Sequence, residues 1–213
     1  MSELAHLLDD PKASRTQVTD LLAGREAADE RKLVLGLGKH RQSRLWDVAG
    51  SDPLPIEIEF FVPASAPAYQ PFPFDGRNSL PAFTEFQKVF YRTSTGEIGG
   101  LNNQLLMRVT GPGYYIAEVQ RDREGEVAVD YRKTPSSKPR GWPRIVPNTR
   151  FPSKLIYGGT VDYLRRISDR AAIGRAYRDG TDEMPNWFVL VRGRELDGLF
   201  GFDYWRPRRQ RAR

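Results

Sequence analysis

The chain has 213 residues, enough for one well-buried domain, and its composition excludes several kinds of site. It contains no cysteine, which excludes disulfides, thiolate nucleophiles and cysteine-bound zinc, and neither of its two histidines has a partner at metal-ligand spacing. No phosphate-binding loop or nucleophile-elbow motif is present, so we expect neither a metal nor a cofactor.

The formal net charge of +6 belongs mainly to the last eight residues. Of the 33 basic residues, five are arginines in 206–213, which leaves 28 basic against 27 acidic groups in the rest of the chain. This composition favours a solvated, disordered tail over a nucleic-acid contact, although arginines can bind phosphates. Because no stretch has the apolar length of a membrane span and no signal-peptide pattern occurs, we expect a cytoplasmic protein without a membrane span.

The first fifty residues have the apolar spacing of helices. Ser14, followed three positions later by Gln17, forms a capping-box pattern ahead of an apolar face. A second helical pattern runs over 33–45, and Gly36 and Gly38 weaken its middle by roughly 1 kcal/mol each relative to alanine, so we expect a break there. We predict that the helices of residues 1–50 pack on the main domain or form a homodimer contact.

The character changes after Gly50, where residues 56–61 alternate in the manner of a strand and residues 63–81 are proline-rich, which indicates an ordered wrap. Short apolar segments with turn residues between them then predict an antiparallel sandwich or closed barrel over 51–205. The predicted strands are 83–92, 97–109, 113–121, 126–133, 154–158, 171–178, 186–193 and 199–205. The predicted fold is mostly β (α+β), a barrel preceded by helices.

Two segments interrupt the strand pattern. Residues 134–153 contain five prolines and are too long for a hairpin turn, so we expect them to cover one barrel end. In YGGTVDYLRRIS, residues 157–168, the paired glycines predict a sharp turn followed by a short helix between late strands. On that helix Asp162 and Arg166 have the i, i+4 spacing of a salt bridge, which favours a structural clip over an anion-binding site.

The alternation of apolar and polar side chains indicates which residues face inward. Leu155 and Tyr157 are predicted to share an inward face, and five predicted inward residues have polar ends: Asn103, Tyr115, Tyr131, Tyr157 and Trp187. Such an interior is typical of a small-molecule pocket, or of a filled core whose hydroxyls bond the backbone. Trp142 and Asn148 in the long loop are candidates for the pocket mouth, with a plug at the barrel end as the alternative for Trp142.

A resemblance to a known family covers residues 96–193. The residues Gly96-Glu97-Ile98-Gly99-Gly100 match a G-x-I-x-G pattern, and the end of the chain closes on an aromatic strand, Trp187 to Arg192. The chain thereby resembles the GXWXG family of small lipocalin-like bacterial proteins, with Ile98 where that family has tryptophan. The resemblance implies a calycin-like barrel with a lipid-like or other apolar ligand, and it offers no catalytic residues to carry over.

Three functions stay open at this point. The first is a barrel that binds an apolar small molecule, lipid- or polyketide-like, in its interior. The second is a metal- and cofactor-independent enzyme, an isomerase or cyclase, that uses the same pocket with Tyr157, Asp162 and Arg166 as catalytic candidates. The third is an adaptor for nucleic acid or protein that acts through the arginine-rich tail.

Overall fold

The computed structural model describes residues 1–82, 84–104 and 107–193. The predicted strand over 199–205 and the basic tail over 206–213 lie outside the described residues. The division of the chain into a helical segment, a barrel domain and a tail stays a prediction.

Four helices precede the barrel: α1 (Glu3–Asp9), α2 (Arg15–Leu22), α3 (Ala27–Leu35) and α4 (Lys39–Ser51). The Ser14 side chain accepts a hydrogen bond from the Gln17 backbone N–H, and the Gln17 side-chain oxygen accepts one from the Ser14 backbone N–H, which confirms the capping box. Gly36 ends α3 and Gly38 precedes α4, so the predicted break at the glycines is also confirmed. Within the described ranges, no helix has the length and apolar character needed to cross a membrane.

In the described part of the chain, eight strands form a closed antiparallel barrel in which each strand pairs with its neighbours in sequence and β1 pairs with β8. This is the up-and-down order of lipocalin-like barrels. The strands are β1 (Phe72–Asn78), β2 (Glu85–Arg92), β3 (Ile98–Asn103), β4 (Tyr115–Val119), β5 (Val127–Asp130), β6 (Thr160–Arg166), β7 (Ala171–Arg178) and β8 (Asp182–Arg192). Two short helices follow β3 and β5: α5 (Met107–Thr110) and α6 (Ser153–Tyr157).

The N-terminal helices pack on the outside of β6, β7 and β8, where their apolar faces join outward side chains such as Val161 and Ile173 in one core. A buried carboxylate, Glu30 on α3, ties the helices to the barrel through an ion pair with Arg170 at 2.6 Å. The guanidinium of Arg165 lies 3.6 Å from the ring centre of Trp46 on α4. Much of the outer face of these strands is therefore buried, like the inner face.

The two barrel ends differ in what closes them. At one end, a 3-10 turn at Ile58–Phe60 inserts aromatic rings: Phe61 stacks on Phe90 at 4.5 Å and lies 5.3 Å from Phe74. Arg192 holds this turn by donating to the carbonyl of Phe60, and we call this end of the barrel the closed end. The other end carries α5 and α6, and we call it the α6 end.

Some sequence predictions are wrong about local structure. Residues 56–61 do not form a strand, because Phe60 and Phe61 are both buried in the closed end. The wrap over 63–81 contains strand β1. The segment 154–158 is helical, and the predicted helix after Gly159 is strand β6, which pairs with β5 and β7 on its two sides. The short helix between late strands is present, one segment earlier than predicted.

The long loop over 134–153 covers less of the barrel end than expected. Its middle lies along the outside of β2 to β4, where the ring of Trp142 meets the ring of Tyr91 at 5.2 Å. Asn148 and the start of α6 reach the end of the barrel. The loop therefore gives these strands a second buried face, as the helices do for β6 to β8.

Candidate functional site

A lysine lies inside the barrel. Lys88 on β2 shares the inward face with Phe86 and Phe90, and only 1% of its side chain is exposed. Its ammonium donates to the carboxylate of Asp162 on β6 across the interior at 2.9 Å. It also donates to the hydroxyl of Tyr131, and it lies 3.4 Å from the side-chain oxygen of Asn102. We call Lys88, Asp162, Tyr131 and Asn102 the interior polar cluster.

Aromatic rings surround the ammonium of Lys88. Its nitrogen lies 4.9 Å from the ring centre of Phe188, within the range of cation–π attraction, and it meets Tyr131 at the hydroxyl edge of the ring. The ring centres of Tyr115 and Phe86 lie at 5.2 and 5.8 Å. The charge is thus buried among aromatic rings and one carboxylate.

Glycines on neighbouring strands make room for these rings. Gly76 is opposite Phe86, Gly100 is opposite Tyr115, and Gly174 is opposite Phe188. A Cβ on any of the three glycines would collide with the ring across from it, because each ring lies flat over the glycine backbone. The glycines of the strands therefore shape the aromatic wall around Lys88.

Burial shifts the ionisation of the cluster. Desolvation lowers the pKa of Lys88 and raises the pKa of Asp162, in both cases outweighing the mutual attraction that opposes the shift. Desolvation also raises the pKa of Tyr131 well above its ordinary value. Burial thus opposes the charged form of both partners, a condition typical of functional sites but also found in structural ion pairs.

A chain of polar side chains leads from the cluster to the α6 end. The ring of Tyr157, the last residue of α6, stacks on the ring of Tyr131 at 5.1 Å. Its hydroxyl accepts a hydrogen bond from the side-chain amide of Gln104 at 2.7 Å, and burial raises its pKa to about 12. Tyr157 thus lies between the interior polar cluster and the surface.

The structure brings together Tyr115, Tyr131, Tyr157 and Asp162 of the residues singled out in the sequence. The Tyr115 hydroxyl bonds the carbonyl of Val89 at 3.2 Å, as expected of a filled core, whereas the other two tyrosines bond side chains of the polar network. Leu155, predicted inward, is 75% exposed on α6.

Two predicted interior residues lie outside the barrel. Asn103 donates to the side chain of Gln87, which in turn donates to Asp75, a network on the outer surface that α3 reaches through Arg31. Its neighbour Asn102 points inward in its place. Trp187 packs with the N-terminal helices, opposite in face to Phe188.

The structure places the two loop candidates differently. Trp142 is buried in the core outside β2 to β4, so neither its predicted position at a pocket mouth nor the plug at the barrel end is correct. The side-chain amide of Asn148 donates to the backbone carbonyls of Tyr114 and Tyr131 at 2.7 and 2.8 Å, which attaches the loop to the residues next to β4 and β5. Asn148 thus contacts the backbone of a cluster residue, and its role in ligand binding stays a prediction.

The predicted ion pair between Asp162 and Arg166 is wrong because the segment is a strand. Four residues along a strand separate side chains by about 13 Å, so the two cannot meet. Asp162 pairs with Lys88, while Arg166 is at the closed end, where it pairs with Asp169. A lysine between two phenylalanines in strict alternation, Phe86-x-Lys88-x-Phe90, is the sequence signal that could have identified Lys88.

A surface cleft of about 790 Å³ also lies between α1 and α2, lined by residues that include His6, Leu7 and Leu21. It contains no buried titratable cluster comparable with that of Lys88, and no metal-binding group of three acidic, histidine or cysteine side chains occurs in the described ranges. Comparisons with known protein families, with curated proteins and with solved structures found no match to this chain. The interior polar cluster is therefore identified from its geometry alone.

Proposed function

We propose that this barrel binds an apolar small molecule, lipid- or polyketide-like, whose carbonyl oxygen accepts a hydrogen bond from Lys88. The observation that supports it is the buried pair of Lys88 and Asp162 inside an aromatic wall. Replacing a buried ion pair by apolar side chains is often neutral or stabilising, so such a pair is weak support for a purely structural role. Binding pockets combine mostly apolar walls with a few polar groups that orient the ligand, which is the composition of this interior.

The charge balance of the cluster favours a neutral acceptor over an anion. Lys88 and Asp162 cancel each other, so a carboxylate ligand would add an uncompensated buried charge, whereas a ketone, ester or amide oxygen would not. The ammonium has three protons, and its contact with Asn102, at 3.4 Å, is the longest of its three polar contacts. An incoming carbonyl oxygen would take that position.

Access requires movement at the α6 end, because rings fill the space around Lys88. Tyr157 is the side chain between the cluster and the surface, and it belongs to a helix of five residues. Withdrawal of Tyr157 with α6 breaks its hydrogen bond from Gln104, its ring stack on Tyr131 and the hydrogen bond from Ser153 to the carbonyl of Thr110. We therefore assign Tyr157 the role of a plug that the ligand displaces.

The proposal is tested with prodan, a fluorescent naphthyl ketone, and with the same dimethylaminonaphthalene lacking the acyl group. Prodan should bind with a blue shift of its emission. The variant Lys88→Met/Asp162→Asn, which removes both charges, should bind prodan about fivefold or more weakly, because one hydrogen bond of about 1 kcal/mol is lost. The analogue without the carbonyl should bind both proteins equally.

The matched control is Lys32→Met, which removes an exposed lysine on α3. It should leave the affinity for prodan unchanged. Equal binding of prodan to the wild-type protein and to the double variant would contradict the role of Lys88, and the absence of any blue shift with the wild-type protein would contradict binding in the interior.

A second candidate is proton-transfer catalysis at the same cluster, because an acid, a base and a hydrogen-bond donor meet there. In an isomerisation, the Asp162 carboxylate would remove an α-proton from a β,γ-unsaturated ketone, Lys88 would hydrogen-bond the enolate oxygen, and the proton would return to the γ-carbon. Appearance of the conjugated ketone by ultraviolet absorbance, abolished in Lys88→Met/Asp162→Asn, would favour this function. Saturable binding without product favours the binding protein.

A further inference from the structure

We propose that the α6 end of the barrel docks on an anionic lipid surface. Three large apolar side chains protrude there within six residues: Phe151 is 80% exposed, Leu155 is 75% exposed and Ile156 is 48% exposed. We call these three residues the apolar tip. Isolated exposed apolar residues are ordinary, but three within six residues concentrate apolar surface at one place, as interaction sites do.

The local backbone places charges beside the apolar tip. The N–H of Lys154 bonds the carbonyl of Arg150 at 2.8 Å, which brings the backbone of these two basic residues together at the start of α6. Arg150 is next to Phe151 in the chain and Lys154 is next to Leu155, so each basic residue adjoins an exposed apolar one. Apolar side chains with flanking basic residues are typical of segments that lie in a membrane interface.

The charge of the surrounding segment determines the sign of the partner. Residues 134–161 contain no acidic residue and five basic ones, although the chain up to residue 205 is nearly neutral. Four of the five are exposed: Arg140, Arg144, Arg150 and Lys154. Within the parts of the chain that the structure describes, none of these four pairs with a carboxylate, and two of them, Arg150 and Lys154, adjoin the apolar tip, so their charge is available to an anionic surface there.

A lipid surface fits this tip better than a second copy of the chain. A stable dimer interface buries about 800 Å² on each partner, more than three side chains on one turn provide. In a twofold contact the basic residues around the tip would also face their own copies and repel one another. An interfacial anchor needs only a few apolar side chains and nearby basic ones.

The docking surface adjoins the end of the barrel nearest Lys88, since Tyr157 is the next residue after the apolar tip and points into the interior. A molecule dissolved in the lipid would therefore meet the barrel at the side chain that covers the polar cluster. The docking proposal rests on the exposed residues and their charge, independently of any role for Lys88.

The test is flotation of the full chain with phosphatidylcholine vesicles, with and without about one-third phosphatidylserine. Every protein carries glutamine in place of the five arginines of residues 206–213, so that the tail cannot bind the vesicles by itself. The parent protein should float with the anionic vesicles and remain below the neutral ones.

Two variants separate the two contributions to vesicle binding. Phe151→Ser/Leu155→Ser/Ile156→Ser should lower the partition coefficient more than tenfold. Arg150→Gln/Lys154→Gln should lower it about 25-fold on anionic vesicles, because each basic residue near the surface contributes about fivefold. All five positions are exposed, so the urea midpoints of both variants should match that of the parent.

Matched controls remove the same kinds of residue elsewhere. Leu80→Ser/Val119→Ser removes two other exposed apolar side chains, and Lys12→Gln/Lys32→Gln removes two exposed lysines near and on the helices. Both should float like the parent. Failure of the parent to bind anionic vesicles, or equal flotation of the serine triple variant, would overturn the proposal. A dimer in equilibrium sedimentation that the triple variant abolishes, without vesicle binding, would replace the lipid by a second copy.

Discussion

Replacing Lys88 with methionine should destabilise the barrel strongly at neutral pH and much less at pH 4. The two charges are 2.9 Å apart, with side-chain exposures of 1% and 8%. Their attraction is about 6 kcal/mol at an effective dielectric constant of about 20, and desolvation of the two groups offsets it. Removing one partner leaves the other charge buried alone, which costs about 3–5 kcal/mol.

The pH dependence follows from the direction of each shift. In Lys88→Met the pKa of Asp162 is raised further, since the attraction that opposed desolvation is gone. The folded protein then retains a proton that the unfolded chain releases, so stability is present below the ordinary pKa of an aspartate and is lost as pH rises through the raised value. In Asp162→Asn the lowered pKa of Lys88 has the opposite effect, and stability increases as pH rises toward the ordinary pKa of lysine.

The double variant Lys88→Met/Asp162→Asn completes the cycle, because it leaves no buried charge and keeps an amide beside Tyr131. We expect it to lie within about 1 kcal/mol of the wild-type protein, so that the two single losses are far from additive. The assay is urea unfolding followed by tryptophan fluorescence at several pH values between 4 and 9. A loss below about 1 kcal/mol in both single variants at pH 7, or a loss in Lys88→Met that does not change with pH, would refute a dry ion pair.

Three further substitutions probe other parts of the structure. Tyr157, with its pKa raised to about 12, retains its proton in the folded state above pH 10, so the stability of the wild-type protein falls as pH rises there. Between pH 8 and pH 11, the free energy of unfolding of Tyr157→Phe, measured in urea, should fall by about 1.4 kcal/mol less than that of the wild-type protein. Equal losses in the two proteins would contradict the buried phenol. Gly100→Ala forces a methyl group against the ring of Tyr115 and should lower the free energy of unfolding by about 1–3 kcal/mol, whereas Gly38→Ala, with open space around it, should lower it by under about 1 kcal/mol. Similar thermal midpoints of the two variants would refute the close approach of the Tyr115 ring to Gly100. Asn148→Ala removes two hydrogen bonds to strand carbonyls and should cost about 1–3 kcal/mol by denaturant unfolding, with limited proteolysis reporting release of the loop; an unchanged cleavage pattern would show that other contacts hold it.

The sequence was least informative where one segment satisfies two periodicities. In residues 160–167, Val161, Leu164 and Ile167 have the spacing of one helix face. The same segment also fits a strand, with Val161 and Tyr163 on one face and Asp162 and Leu164 on the other. The backbone hydrogen bonds to β5 and β7 determine the outcome, and these partners come from distant parts of the chain. The adjoining segment 154–158 then has no strand to pair with and forms a helical turn over the barrel end.

Alternation also failed to show which face of a strand is inward. It identifies the two faces of β8 correctly, but Val189 packs under the helices and Leu190 in the interior, so both faces are apolar. The same ambiguity exchanged Asn102 and Asn103, since the long loop gives β3 a buried outer face. One-sided burial is the assumption behind the rule, and this barrel has coverings on much of its outside.

The sequence by itself determined the class of the fold, the helix cap at Ser14 and most of the strands. Those features depend on local periodicity, turn residues and capping chemistry, which neighbouring residues encode. Only the tertiary structure decided that Asp162 meets Lys88, 74 residues earlier in the chain. Closure of the barrel brings β2 and β6 face to face across the interior, and no local pattern specifies which polar groups meet there.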